Sequence, residues 1–216
     1  MLTEISPPLL KCHQCRKNET DGRFCADCSE SQRSHRLLKL SEFLRRSGFP
    51  KKIISADLRL GEKDSGFLKS ENIGGLFIHG PSGVGKTFLT ASLARELFVR
   101  GSDVKWRFES LPRLVMEIQD CFHKKTSSLD FLKEIVESEI LVLDDLGVEK
   151  LTEFVYQAIY FVLNEREMNC RPTLITSNFS LAEIQDKFDS RISSRIAGMC
   201  RVIELRGSDR RINKRN

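Results

Sequence analysis

Apolar positions between residues 72 and 206 follow two alternating rhythms. Short apolar runs, "GLFIHG", "DVKWRF", "EILVLDDLG", "PTLITSN" and "CRVIELRG", read as strands bounded by turn residues. Between them, apolar residues recur every three or four positions in "KTFLTASLARELFVRG", "LPRLVMEIQDCFHK", "LDFLKEIVES", "TEFVYQAIYFVLNEREMN" and "SRISSRIAGM". That spacing lays one apolar stripe along each helix, and Gly101 is placed to close the first of them. Strands alternating with helices predict an α/β fold, a parallel sheet flanked by helices. Ligands of such sheets gather at the carboxyl ends of the strands. Upstream, "SESQRSHRLLKLSEFLRRSGFP" is polar, then amphipathic. It predicts a linker running into a short helix that ends near 47. The expected division is a small N-terminal module with linker over 1–40 and a core domain over 41–216.

The junction of the first strand and helix carries "GPSGVGKTF", residues Gly80, Pro81, Ser82, Gly83, Val84, Gly85, Lys86, Thr87 and Phe88. It matches the phosphate-loop pattern G-x-x-x-x-G-K-[ST]. Glycines let successive backbone N–H groups turn inward on an anion, and the following helix adds its positive end. Lys86 can reach the β- and γ-phosphates of a nucleotide, and the Thr87 hydroxyl can ligate Mg²⁺. The alternative is a flexible surface loop, which the flanking strand and helix argue against.

Three further features lie at strand ends or beyond them. Asp144 and Asp145 close "ILVLDD"; one carboxylate there can hold Mg²⁺, and the other can orient or deprotonate an attacking water. Without a phosphate loop nearby they would read as solvated acids. Asn178, after "TLITS", can position water beside a γ-phosphate or serve as a turn residue. Arg191 and Arg195 share one helix face, as a solvated basic face or as an arginine finger.

"CHQCRKNETDGRFCADC" pairs Cys12 with Cys15 and Cys25 with Cys28, two residues inside each pair and nine between the pairs. Two such knuckles complete a closed tetrahedral Zn²⁺ site, structural because no coordination position stays open. A redox pair or disulfides are the competing readings. Cys121, Cys170 and Cys200 are scattered and read as ordinary small apolar residues.

Composition adds limits. The 216 residues are 40% hydrophobic and 30% charged, as in a globular protein with a normal core. No apolar run reaches the ~18 residues of a membrane helix. The first residues lack a basic n-region and a long apolar stretch, so a cytoplasmic location is expected. A net charge of +5 permits nucleic-acid binding without arguing for it. Lys124 and Lys125 make one small basic patch, and Arg206, Arg210, Arg211, Lys214 and Arg215 make another.

In order, "GPSGVGKT", "ILVLDDLG", "TLITSN", "RISSRI" and "RGSDRR", preceded by "SGFPKKIISADL", resemble the AAA+ proteins of the bacterial helicase-loader family, the DnaC/DnaI type. The IstB-type transposon-helper ATPases are similar. The likeness covers roughly residues 41–212. It implies a P-loop AAA+ domain that binds ATP with Mg²⁺ and hydrolyses it. Lys86 and Thr87 would bind phosphate and metal, Asp144 would serve the metal and Asp145 the water. Asn178 would be sensor 1, and Arg195 a finger acting on a neighbour's ATP. Arg210 or Arg211 would be the sensor-2-like arginine. The family further implies single-stranded DNA, a replicative helicase and an ATP-dependent homo-oligomer as partners. A zinc-based head of about forty residues departs from the commoner loader pattern. The chain also ends soon after "GSDRR", so no separate helical lid is expected. Three functions remain open: a loader of a replicative helicase, a helper that delivers a transposase to target DNA, or a zinc adaptor that uses ATP only as a binding switch.

Overall fold

A computed structural model describes residues 10–12, 14–16, 19–20, 25–58, 74–123, 128–147 and 152–210. At the N-terminus, β1 (Leu10–Lys11) pairs antiparallel with β2 (Glu19–Thr20). Helix α1 (Ala26–Arg46) and the single turn α2 (Lys51–Ile54) follow. The core then runs β3 (Gly75–His79), α3 (Lys86–Arg100), β4 (Trp106–Ser110), α4 (Leu111–His123), α5 (Ser128–Glu137) and β5 (Ile140–Leu146). It ends with α6 (Glu153–Met168), β6 (Thr173–Ser177), α7 (Leu181–Lys187), α8 (Ser190–Met199) and β7 (Cys200–Glu204).

Five strands pair in the order β4-β5-β6-β3-β7, every pair parallel. Side chains alternate across a strand, and this sheet buries both faces. Phe77, Leu141, Leu143 and Ile175 meet α4, α5, α6 and α8 on one side. Leu76, Ile78, Val142 and Leu174 meet α3 and residues Leu44 and Phe49 on the other. Each fully buried aliphatic or aromatic side chain there contributes about 1.5–3 kcal/mol. Two-sided burial is why the strands read as continuous apolar runs.

The expected linker is not there. Helix α1 is continuous over 21 residues, from the second cysteine pair to Arg46, so the division at 40/41 falls inside it. Residues 29–35 are polar because they are mostly exposed, not because they lack structure. The helix lies along α3: Phe43 stacks on Phe98 at 4.2 Å, and Arg36 Nη1 donates to Phe98 O at 3.0 Å. Arg36 also pairs with Asp103 at 3.0 Å, although Asp103 is too exposed for that pair to weigh much. The expected second strand begins at Trp106 rather than Asp103. Helix α7, opened by a Ser180–Glu183 capping box, had no expectation at all. Of the scattered cysteines, Cys200 is a buried core residue, whereas Cys170 is exposed on the turn before β6 with φ +49°. Lys124, Lys125, Arg211, Lys214 and Arg215 lie outside the described residues. Among the described residues, no helix is long and apolar enough to cross a membrane.

Candidate functional site

The phosphate loop leaves β3 at Gly80 and enters α3 at Lys86. The sheet register decides what meets it. Because β7 runs parallel beside β3, with His79 opposite Glu204, the residues after β7 travel beside the loop. Leu205 N donates to His79 O at 2.7 Å, and Arg210 N donates to Gly83 O at 3.1 Å. Gly80 (φ +149°) and Gly83 (φ +75°) are needed twice over, for their left-handed backbone and for this close approach. A Cβ on Gly80 would run into the Leu205 carbonyl, and one on Gly83 into the Asp209 carboxylate. The Arg210 guanidinium lies over Gly85, 3.6 Å from where a Cβ would stand. Of the two candidate tail arginines, Arg210 is therefore at the loop, and Arg211 is outside the described residues.

Lys86 is buried at 6% exposure, and its ammonium donates to Gly80 O at 2.8 Å, Pro81 O at 2.9 Å and Asn178 Oδ1 at 2.7 Å. A lysine buried among acceptors keeps its charge hydrogen-bonded. These contacts bring the loop lysine and Asn178, 92 positions apart, to one point. Beside them, Thr87 Oγ1 donates to both Asp144 oxygens at 2.9 and 3.0 Å. Thr176, on β6, donates to Asp144 Oδ1 at 2.7 Å and accepts from Asp145 N at 2.9 Å. Burial pushes the Asp144 carboxyl up to about 6, the Asp145 charge adds to this, and the Thr176 and Thr87 hydroxyls with Lys86 pull it back.

Asp145 is half-buried with φ +63°. A non-glycine residue in the left-handed region costs roughly 1–2 kcal/mol. The strain sits where the β5–β6 ladder breaks register between Leu143 and Leu146. Such outliers persist where surrounding bonds over-determine them; here the Thr176 hydroxyl fixes the Asp145 amide. Thr176 was not singled out in the sequence, although a threonine two positions before Asn178 at a strand end was its signal.

Arg195 lies elsewhere. Its Nη1 donates to Glu167 Oε2 at 2.6 Å and its Nη2 to Tyr160 OH at 3.0 Å, both on α6. Arg191 pairs with Asp189 at 2.9 Å, and Asp189 also caps α8.

In the head, the ligand atoms of Cys12, Cys15, Cys25 and Cys28 all lie within 4.8 Å of one another. Cys15 Sγ and Cys25 Sγ are 3.7 Å apart; a tetrahedral Zn²⁺ with bonds of ~2.3 Å needs about 3.8 Å. Burial works against a thiolate at Cys12, but the Cys15, Cys25 and Gln14 amides outweigh it and lower the thiol to about 6. Burial and then the neighbouring thiols push Cys28 up to about 12. One negative sulfur thus opposes the next, and a cation is what lets four be thiolates together. The donor set and spacing fit a metal ion.

Residues 29–216 match the family model described as IstB-like ATP binding protein. The chain belongs to that family. It is 32% identical over 162 residues to the replicative helicase loader DnaI of Bacillus subtilis, covering 67% of this chain and 51% of that protein. It is 29% identical over 103 residues to a putative ATP-binding protein in an insertion sequence of Mycobacterium tuberculosis, 48% of this chain and 40% of that one. A crystal structure of DnaI superposes with TM-score 0.64 at 26% identity, covering 80% of this chain and 99% of the crystallised one. The core is thus an AAA+ fold, as the motif order implied. The chain spans about half the length of the curated relatives it matches.

Proposed function

We propose that this protein is an ATP-dependent loader of a replicative DNA helicase onto single-stranded DNA, hydrolysing ATP at the interfaces of a cytoplasmic, ATP-dependent homo-oligomer. The observation that carries this reading is the convergence of Lys86, Thr87, Asp144, Thr176 and Asn178 at one point, in a chain related to a helicase loader. Lys86 and the loop amides hold the β- and γ-phosphates. Thr87 and Asp144 offer the hard oxygens that Mg²⁺ prefers, and the ion, when bound, offsets phosphate charge. Asp145 takes or orients the water's proton, Asn178 places that water, and Arg210 steadies the phosphates. Arg195, tied to α6 rather than to its own loop, reaches the ATP of a neighbouring subunit. Cys12, Cys15, Cys25 and Cys28 hold a structural Zn²⁺, and the head they build docks the helicase.

The test is capture and hydrolysis together. The protein, with ATP, is expected to bind the cognate replicative helicase and to hydrolyse ATP faster with single-stranded DNA. The likeness to an insertion-sequence protein favours a second reading, a transposition helper. Binding of duplex DNA and a transposase, with indifference to the helicase, would replace the first reading by the second. Binding of ATP without turnover would leave a zinc adaptor with a nucleotide switch.

A further inference from the structure

Helices α6 and α8 meet along a seam of charge and aromatic rings. Tyr156 and Tyr160 stack with centroids 6.2 Å apart. Arg191 lies over both rings at 5.4 and 5.9 Å, and Arg195 lies over Tyr160 at 5.2 Å. Tyr156 OH donates to Asp189 Oδ2 at 2.6 Å, fixing one end of the seam to the α8 cap. At the other end Glu167 Oε2 accepts from Arg195 Nη1 at 2.6 Å. Gly198, on the last turn of α8, leaves room for that carboxylate, since a Cβ there would lie 2.6 Å from Glu167 Oε1.

The donors of Arg195 divide in a telling way. A guanidinium carries five N–H groups in a fixed fork. Nε is enclosed by protein without a partner. One hydrogen of Nη1 goes to Glu167 and one of Nη2 to Tyr160. One N–H on each Nη is left over, on a side chain still 29% exposed. Glu167 and Tyr160 therefore fix the plane of the guanidinium without using up its capacity to meet a phosphate. A long arginine free in solvent would lose its rotamer entropy on every engagement. Held in advance by ring, hydroxyl and carboxylate, it loses little, and geometry held beforehand is what outer partners of a reacting group supply.

We infer that Glu167 and Tyr160 are positioning residues for the Arg195 finger, setting its direction toward the ATP of the next subunit. This rests on the reading of Arg195 as a finger in trans, so the experiment separates the two. Full-length Arg195→Ala protein, whose own ATP site is intact, is mixed with full-length Lys86→Ala protein, which can contribute only a finger. Hydrolysis in the mixture then reports one kind of interface. Adding Glu167→Ala to the finger-only chain should lower the kcat of the mixture about 10–100-fold, the usual loss for an outer-shell partner, with the KM for ATP unchanged. Glu167→Gln, which keeps an acceptor for Nη1, should restore it to within about threefold, and Tyr160→Phe should fall between the two. Equal hydrolysis with Glu167 and with Ala at 167, in mixtures that assemble normally, overturns the inference while leaving the finger in place. No hydrolysis with the Lys86→Ala partner itself overturns the finger and the inference with it.

Discussion

Around Cys12 the buried side chains are sulfur: Cys12, Cys25 and Cys28, with Cys15 packed on them. Around Phe77 and Leu76 they are aliphatic and aromatic groups, closing both faces of a five-stranded sheet. The core reaches stability by removing apolar surface from water, which needs length and many elements. The head is too short for that, and its four clustered cysteines could hold a metal ion, whose thiolate bonds would supply the missing energy. Helix α1 belongs to both: its first turn carries Cys28 and its last carries Leu44. The contrast teaches that one chain can use two kinds of interior, sulfur in the head and hydrocarbon around the sheet; under the proposed function the first would hold a metal and dock the partner while the second frames the nucleotide site.

The hardest way to break this contrast is to take the metal away. A structural zinc supplies about 10–16 kcal/mol to small peptides at pH 7. Chelation, or Cys25→Ser, should therefore abolish hydrogen-exchange protection at the start of α1 while the amides of α3 stay protected. ATP affinity should stay within about twofold, because the four cysteines form a buried cluster of their own. Loss of nucleotide binding on chelation would mean that head and core are one folding unit.

A comparable break in the core goes through Arg166, a charged side chain that is fully buried. It donates to the carbonyls of Ile135, Val136, Ser138 and Pro172 and to Thr173 Oγ1. Burial, with Arg171 nearby, lowers its pKa to about 9. Arg166→Met should cost about 3–5 kcal/mol in urea unfolding by orphaning those acceptors. The zinc content of the head should not change.

Asp145 sharpens the comparison, because there the core gives up stability. Asp145→Gly should relax the left-handed strain and raise stability by about 0.5–1 kcal/mol after the entropy cost of glycine, while hydrolysis is lost. Asp145→Asn, which tolerates the same backbone, should leave stability within about 0.5 kcal/mol and retain ATP binding without turnover. Normal hydrolysis by either variant would remove Asp145 from the mechanism.

The smallest effect on activity concerns the joint. Arg36→Ala removes the bonds to Phe98 O and Asp103 and should cost about 1 kcal/mol. Spin labels on the head and on α3 should report a broader distance distribution, with ATP hydrolysis unchanged. An unaltered distribution would show that the apolar packing of Phe43, Leu44 and Phe49 fixes the joint without Arg36.

Some of this was legible in the chain because its chemistry needs neighbours in sequence. The phosphate loop, the paired acids and the paired cysteines are each set by short spacings, and α3 and β5 announce themselves by period. What stayed hidden depends on register or on surfaces. Thr176 matters because β6 lies beside β5, and Arg210 because β7 lies beside β3. No local spacing reports strand order. The first part of α1 was read as linker, and only its end near 47 as helix, because exposed helix and exposed coil share polar residues. Glu167 and Tyr160 looked like ordinary residues of an amphipathic helix until α8 was laid against them.

The most direct test of the account is deposition of the cognate replicative helicase on closed circular single-stranded DNA, counted by helicase retained on the circles after a salt wash. The account predicts retention with the intact protein and ATP. It predicts a fall to background with Lys86→Ala, and also with Cys25→Ser protein that still binds ATP. Retention that is indifferent to both substitutions, or absent with the intact protein and its own helicase, would contradict it.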